Sequence, residues 1–128
     1  MIAVDTSAFV AVVLGEPDAE RFLDLMRSDS VTVSAVSLVE AAIVVEARQG
    51  ADAARDLDLL VDGVVDSVAA VDSDHARVAV AAWRRFGKGR HSASLDLGDC
   101  FSYAAAKVAG VPLLFKGDDF THTDIAIV

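Results

Sequence analysis

The sequence predicts an α/β fold in which a central, mostly parallel sheet of four to five strands is flanked by helices. Short apolar runs, too short to be helices, alternate with longer stretches whose apolar residues recur at helical spacing. Strands that alternate with helices form a parallel sheet that is covered on both faces. The 128 residues fit one domain, residues 1–128.

Residues that start and stop helices place the elements in order. Asp5 and the hydroxyls after it are typical of a helix N-cap, whereas Gly15, Gly50 and Gly110 are typical of helix ends. The predicted elements are a strand at 2–4, helices at 6–14 and 17–26, a strand at 31–33, helices at 37–49 and 54–64, a strand at 68–71, helices at 73–86 and 97–109, and strands at 111–115 and 125–128.

The composition is that of a compact globular domain. Hydrophobic residues make up 54% of the chain, a larger share than intrinsically disordered proteins have. The single Cys100 cannot form an internal disulfide, so we expect a reducing, cytoplasmic location. No apolar stretch approaches the roughly 20 residues of a membrane span, and no signal peptide is expected at the N-terminus.

The net charge of −9 argues at first against a nucleic-acid partner, but the charge is unevenly distributed. Residues 1–80 hold five arginines and fifteen acids, whereas residues 81–128 hold six cations and five acids. Four of these cations lie in residues 84–90, and His91 follows them. This segment, the basic loop (residues 84–91), is either a solvated loop after a helix or a rim that binds phosphate.

Two acids lie at the ends of the first two predicted strands, where ligands bind in open α/β sheets. Asp5 directly follows the first strand, although it also has an ordinary explanation as a helix cap. Glu40 lies at the start of the helix after the second strand. The spacing of Ser37 and Glu40 also matches a capping box, in which the glutamate bonds back to the backbone of the cap.

Two pairs of acids lie later in the chain. Asp96 and Asp99 are three residues apart at a helix start, so they share a face and are favoured by the helix dipole. We expect Asp96 to be the N-cap. Asp118 and Asp119 follow the strand at 111–115, where the alternative interpretation is a turn.

Together these acids indicate a metal site more strongly than any one of them does. Four separate segments bring a carboxylate to one edge of the sheet, and gathered carboxylates raise each other's pKa unless a cation is present. Mg²⁺ suits such a site because it takes oxygen ligands and keeps several waters. A zinc site is not indicated, since His75, His91 and His122 are scattered.

Five segments carry a resemblance that covers essentially the whole chain. They are Asp5-Thr6-Ser7 after an apolar strand, Glu40 at a helix start, the run from Arg84 to Gly89, Gly98-Asp99-Cys100-Phe101-Ser102-Tyr103, and the run from Pro112 to Phe120. In this order they resemble a PIN domain, and more narrowly the VapC toxins of bacterial type II toxin–antitoxin modules.

The resemblance implies a three-layer PIN-like fold and an endoribonuclease that needs Mg²⁺, with Mn²⁺ as an alternative. It implies that Asp5 and Asp99 are the principal metal ligands, with Glu40 as a third acid. The physical mechanism we expect is that the metal orients a water and polarises the scissile phosphate while a carboxylate accepts the proton.

The fourth acid matches the family less closely. Many PIN domains have Thr-x-Asp after the last core strand, and Lys116-Gly117-Asp118 stands in that place here. Asp118 is therefore the expected fourth catalytic acid, with Asp119 and Asp96 left open as alternatives.

The resemblance also implies partners, namely an RNA substrate, a cognate VapB-type antitoxin and a second copy of the chain. The residues expected to contact RNA are Thr6, Lys88, Arg90 and His91. Candidate walls of an antitoxin groove are apolar residues of the first two helices, which have the alternative of plain core packing: Phe9, Leu14, Phe22, Leu23 and Met26.

Two other classes compete with this interpretation. A phospho-receiver domain needs an acidic pair after the first strand, whereas Asp5 stands alone. A catalytically silent PIN-like binding module would act only through a protein partner, but the presence of all the acids argues against it.

Overall fold

The computed structural model describes all 128 residues, Met1–Val128. Its elements in chain order are β1 (Ile2–Val4), α1 (Thr6–Val13), α2 (Ala19–Ser28), β2 (Val31–Ser34), α3 (Ala35–Val64), β3 (Ser67–Ala69), α4 (Ser73–Phe86), α5 (Leu97–Ala109) and β4 (Leu113–Leu114), followed by a 3₁₀ turn at Asp119–His122. None of the five helices combines the length and the apolar character that crossing a bilayer requires.

The four strands form one sheet in the order β3-β2-β1-β4, and every pair is parallel. The predicted α/β class is therefore confirmed. The predicted fifth strand at 125–128 is reduced to a single bridge between Leu113 and Ile127. Because all strands run the same way, the residues that follow β1, β2 and β4 lie at the same edge of the sheet.

The sheet separates two cores, as the period-two alternation of strand side chains requires. Ile2 and Val4 pack with α1, α2 and α3, whereas Ala3 between them packs with α4 and α5. The result is the expected three layers, with helices on both faces. The apolar residues of the first two helices are mostly core: Phe9, Phe22 and Met26 are fully buried, so they do not form an open groove.

The start of α3 differs from the sequence prediction. Ser34, not Ser37, is the N-cap, and its hydroxyl accepts a hydrogen bond from the backbone N–H of Val36. The helix begins at Ala35, so Ser37 and Glu40 lie inside it and the predicted capping box is wrong. The capping explanation for Glu40 is thereby removed.

The break at Gly50 was predicted correctly. The helical stretch α3 is interrupted there by a backbone conformation of φ 79° and ψ −166°, a region open essentially to glycine alone. Gly50→Ala is expected to destabilise the fold by about 1–3 kcal/mol, although an added Cβ would meet nothing within 4 Å. Gly63→Ala, in ordinary helix with equally open space, is expected to stabilise it by about 0.5 kcal/mol. Urea denaturation of both variants checks the difference in sign.

Candidate active site

A polar cleft of about 400 Å³ opens at the carboxyl edge of the sheet. We call it the acidic cleft, because four of its ten lining residues are acids. The lining residues are Asp5, Thr6, Ser7, Val10, Glu16, Glu40, Val44, Arg48, Asp99 and Lys116. Three of the four predicted catalytic acids, from three distant segments of the chain, therefore line one cleft.

Asp5 forms the floor of the acidic cleft and is only 3% exposed. It follows β1 directly and caps α1, since its Oδ2 accepts hydrogen bonds from the backbone N–H of Ser7 at 3.0 Å and from the Ser7 hydroxyl at 2.6 Å. Its Oδ1 accepts a hydrogen bond from the Ser102 hydroxyl at 2.5 Å. Three donors thus fix the orientation of this buried carboxylate.

A chain of hydroxyls extends this support into the core. Ser37 and Ser102 are both buried, and their Oγ atoms lie 3.0 Å apart. Because Ser102 uses its one proton toward Asp5, Ser37 is the donor in this pair. The chain joins α3, α5 and the end of β1, so the two helices that carry Glu40 and Asp99 are tied to Asp5.

Asp99 is held at the first turn of α5 by a capping box with Asp96. The backbone N–H of Asp99 donates to Asp96 Oδ1, and the backbone N–H of Asp96 donates to Asp99 Oδ2. Burial is the main cause that raises the pKa of Asp99 to about 8. The hydrogen bond from Asp96 lowers that pKa, whereas the charges of Asp5 and Asp96 raise it.

Glu40 lies one turn inside α3 and faces the same cleft. Burial is again the main cause that raises the pKa of this carboxyl above its usual value. The Thr6 hydroxyl works in the opposite direction, and the negative charges of Asp5 and Asp96 add to the rise. Two of the three acids, Glu40 and Asp99, therefore resist ionisation in the absence of a cation, because their charged forms are desolvated and are repelled by the charges of Asp5 and Asp96.

The carboxylates of the acidic cleft suit a metal ion that retains several water ligands, rather than one whose ligands all come from the protein. No group of three or more His, Cys, Asp or Glu side chains is arranged to hold a metal ion by itself. Mg²⁺ is commonly bound through one or two carboxylates, with waters and substrate phosphates as the remaining ligands. The candidate ligands are all oxygen atoms, and these ligands, the two raised pKa values and the open mouth of the acidic cleft are suited to that mode.

Asp118 and Asp119 are not among the residues that line the acidic cleft. Both are exposed at the 3₁₀ turn after β4, and Asp118 makes no side-chain capping bond there. The residue after β4 that does line the acidic cleft is Lys116. Its ammonium group pairs with Glu16, and its backbone N–H donates to the Ser7 hydroxyl at 2.9 Å. Asp96 is also outside the lining, as the cap of α5.

Most of the predicted RNA-contacting residues lie outside the acidic cleft. Thr6 lines it, whereas Lys88 lines a separate, mainly apolar depression of about 420 Å³ between α4 and α5. The guanidinium of Arg90 stacks over the Trp83 ring, 4.4 Å from its centroid. His91 accepts a hydrogen bond from the backbone N–H of Ala93. The basic loop is thus held by contacts with Trp83 and Ala93, which lie just outside its two ends.

Sequence reasoning missed Ser37 and Ser102 as parts of the site. Ser37 was interpreted as a helix cap, and Ser102 was named only as part of a motif, without a role of its own. A signal was present, since each serine is three residues from a site acid on the same helix, and residues at that spacing share a face. Arg48 was also missed. It is one of two cations in the lining and lies two turns beyond Glu40 on α3.

A parallel sheet between two helical layers, with acids at its carboxyl edge, is the arrangement of a PIN domain, and residues 2–126 match that family. Ribonuclease VapC30 of Mycobacterium tuberculosis is 51% identical to this chain over 128 residues, covering 99% of this chain and 98% of that protein. A ribonuclease VapC of Mycolicibacterium smegmatis is also 51% identical, covering 99% of each. The chain belongs to the VapC ribonucleases of the PIN-domain family.

Solved structures share the fold at much lower identity. The Mycobacterium tuberculosis toxin VapC20, described as cleaving the sarcin–ricin loop, superimposes with a TM-score of 0.81 at 22% identity, over 100% of this chain and 98% of that one. The VapBC2 structure of Rickettsia felis, bound to a DNA fragment from its promoter, gives a TM-score of 0.76 at 13% identity, over 99% and 96%. PIN-domain ribonucleases of the VapC group generally depend on a divalent metal.

Proposed function

We propose that the chain is the toxin of a type II toxin–antitoxin module and that it hydrolyses RNA phosphodiester bonds as a Mg²⁺-dependent endoribonuclease, with Mn²⁺ able to replace Mg²⁺. The observation that carries the proposal is the convergence of Asp5, Glu40 and Asp99 on one cleft. Burial, together with repulsion by the charges of Asp5 and Asp96, raises the pKa of Glu40 and Asp99. A bound divalent cation removes that repulsion.

We assign Asp5, Asp99 and Glu40 as the residues that would hold the ion. Bound Mg²⁺ would lower the pKa of a coordinated water and stabilise charge on the phosphate. Asp5 is fixed by three donors and contributes a rigid ligand. Glu40 and Asp99 approach from two helices, and a carboxylate that is not neutralised by the ion can accept the proton of the attacking water.

RNA phosphates are expected to contact the cations that line the acidic cleft. Arg48 and Lys116 line the cleft, and Thr6 offers a hydroxyl there. The basic loop supplies Lys88, Arg90 and His91, which do not line the acidic cleft, as contacts to phosphates along the strand. Phosphate contacts of this kind position the substrate without reading its sequence.

The proposed partners are a VapB-type antitoxin and a second copy of the chain. Similar folds have been solved as a toxin–antitoxin complex from Klebsiella pneumoniae and as FitAB bound to DNA. The proposed place of action is the cytoplasm, where the lone, buried Cys100 stays reduced. A PIN-like module without catalysis remains the alternative function, and the same cleavage experiment distinguishes the two.

The test is cleavage of a mixture of transfer and ribosomal RNA by the purified chain, with mapping of the new 5′ ends. We expect cleavage with Mg²⁺ or Mn²⁺, none in EDTA, and recovery when Mg²⁺ is restored. Asp118→Asn is expected to slow cleavage by no more than roughly tenfold, because Asp118 is exposed outside the acidic cleft. Cleavage that persists in EDTA would contradict metal dependence, and no cleavage under any condition would favour the silent module.

A further inference from the structure

Gly98 is a buried glycine in the first turn of α5, directly before Asp99. A Cβ added at this position would lie within 2.7 Å of the carboxyl carbon of Glu40 and closer still to both of its oxygens. Real side chains do not approach a Cβ so closely, so no residue larger than glycine fits while Glu40 keeps its place. The carboxylate of Glu40 therefore occupies the space that a side chain at position 98 would take.

The backbone does not explain the glycine. Gly98 lies within a regular α-helix and is not among the glycines with positive φ, which are Gly15, Gly50, Gly89, Gly110 and Gly117. Glycine in a helix is intrinsically less favourable than alanine. The atoms that an added Cβ would strike belong to the end of one flexible side chain, which can move away without disturbing the core.

We propose that Gly98 is a positioning residue that holds the Glu40 carboxylate against the first turn of α5, beside Asp99 and within the acidic cleft. This inference rests on the proposed role of Glu40 as a site acid. The N-terminal turn of a helix favours a negative charge, so the vacancy left by the missing side chain is also an electrostatically favourable place for a carboxylate. Any larger residue at position 98 moves Glu40 out of it.

The consequence is a substitution that separates activity from stability. Gly98→Ala is expected to keep or raise the melting temperature, because alanine favours the helix and only the Glu40 side chain must move. It is expected to slow RNA cleavage by roughly 10–100-fold and to weaken Mn²⁺ binding to a similar degree, the range seen when the support of a metal ligand is lost.

The experiment compares cleavage rate, Mn²⁺ dissociation constant and melting temperature across five proteins: wild type, Gly98→Ala, Gly63→Ala, Glu40→Ala and the double variant Gly98→Ala/Glu40→Ala. Gly63 is the matched control, since it also lies within a turn of a helix end and an added Cβ there meets nothing within 4 Å. Gly63→Ala is expected to leave cleavage and Mn²⁺ binding unchanged. The double variant is expected to match Glu40→Ala, because Gly98 acts only through Glu40.

Three results would overturn the proposal, and they differ in what else they affect. If Glu40→Ala loses activity while Gly98→Ala cleaves and binds Mn²⁺ like the wild type, only the positioning role fails. If Gly98→Ala lowers cleavage further in the Glu40→Ala background, Gly98 acts by another route. If Glu40→Ala itself is fully active, the site role of Glu40 in the proposed function fails together with this inference.

Discussion

Replacing Asp99 with Asn is expected to slow RNA cleavage by roughly 10³-fold or more and to raise the melting temperature of the metal-free protein. Loss of a metal ligand removes several kcal/mol of transition-state stabilisation, which corresponds to that factor. The asparagine keeps a side-chain oxygen that can accept the hydrogen bond from the Asp96 N–H, so the capping box of α5 survives. The substitution removes a carboxylate whose ionised form destabilises the folded protein when no cation is bound.

The stability gain has a defined pH dependence. The pKa of Asp99 is raised to about 8 in the folded protein, from 3.8 for an unperturbed aspartate side chain. Between these values the folded state retains a proton that the unfolded state has released, so wild-type stability falls as pH rises through this window. Because asparagine does not titrate, the Asp99→Asn variant does not lose stability over this pH range. The melting temperatures of the two proteins should therefore be close below pH 4 and diverge up to pH 8.

Thermal unfolding in EDTA across this pH range is the measurement. For a domain of this size each kcal/mol gained raises the melting temperature by roughly 3–5 °C. Asp119→Asn is the matched control, because Asp119 is exposed and outside the acidic cleft. A melting temperature of Asp99→Asn below that of the wild type at pH 8 would show that Asp99 stabilises the metal-free fold and contradict the electrostatic account.

Replacing Asp5 with Ala is expected to abolish cleavage to a similar degree but to destabilise the protein, by about 2–4 kcal/mol. The substitution removes the N-cap of α1 and leaves the Ser7 N–H, the Ser7 hydroxyl and the Ser102 hydroxyl without their acceptor. The Ser102 hydroxyl is buried, and a buried donor that loses its partner carries the full cost of desolvation. Asp5 and Asp99 thus have opposite effects on stability and the same effect on activity.

Urea denaturation of Asp5→Ala and Asp72→Ala tests this difference. Asp72 is also an N-cap, but its side chain accepts a single hydrogen bond, from the His75 N–H, at the start of α4. Asp72→Ala is expected to lower the free energy of unfolding by about 1 kcal/mol and to leave RNA cleavage unchanged. Equal destabilisation by the two substitutions would mean that Asp5 serves the fold only as an ordinary cap.

Local sequence signals predicted much of this fold because the physics that sets these elements is local. The apolar run before Asp5, the N-cap Asp96 and the glycine at position 50 each place an element boundary from nearby residues alone. The start of α3 was not predictable in this way. Ser34 and Ser37 both suit a cap, but Ser37 lies inside the helix and makes a buried contact with Ser102, which is 65 residues away.

The candidate site was likewise predictable where it depends on strand order, but not where it depends on a loop or on helix packing. Parallel strands bring their following residues to one edge, so Asp5, Glu40 and Asp99 were expected together and do line one cleft. The position of Asp118 depends instead on the loop after β4, where Gly117 has φ 98° and the chain enters a 3₁₀ turn. The room that Gly98 leaves for Glu40 depends on packing between two helices, which no local pattern encodes.

Direct Mn²⁺ binding, measured by titration of the wild type, Asp99→Asn and Asp118→Asn, tests most directly whether the acidic cleft holds the catalytic metal. We predict binding to the wild type and to Asp118→Asn with similar dissociation constants, and at least a tenfold weaker affinity in Asp99→Asn. Binding of equal strength in the wild type and Asp99→Asn would place the ion elsewhere and contradict the account.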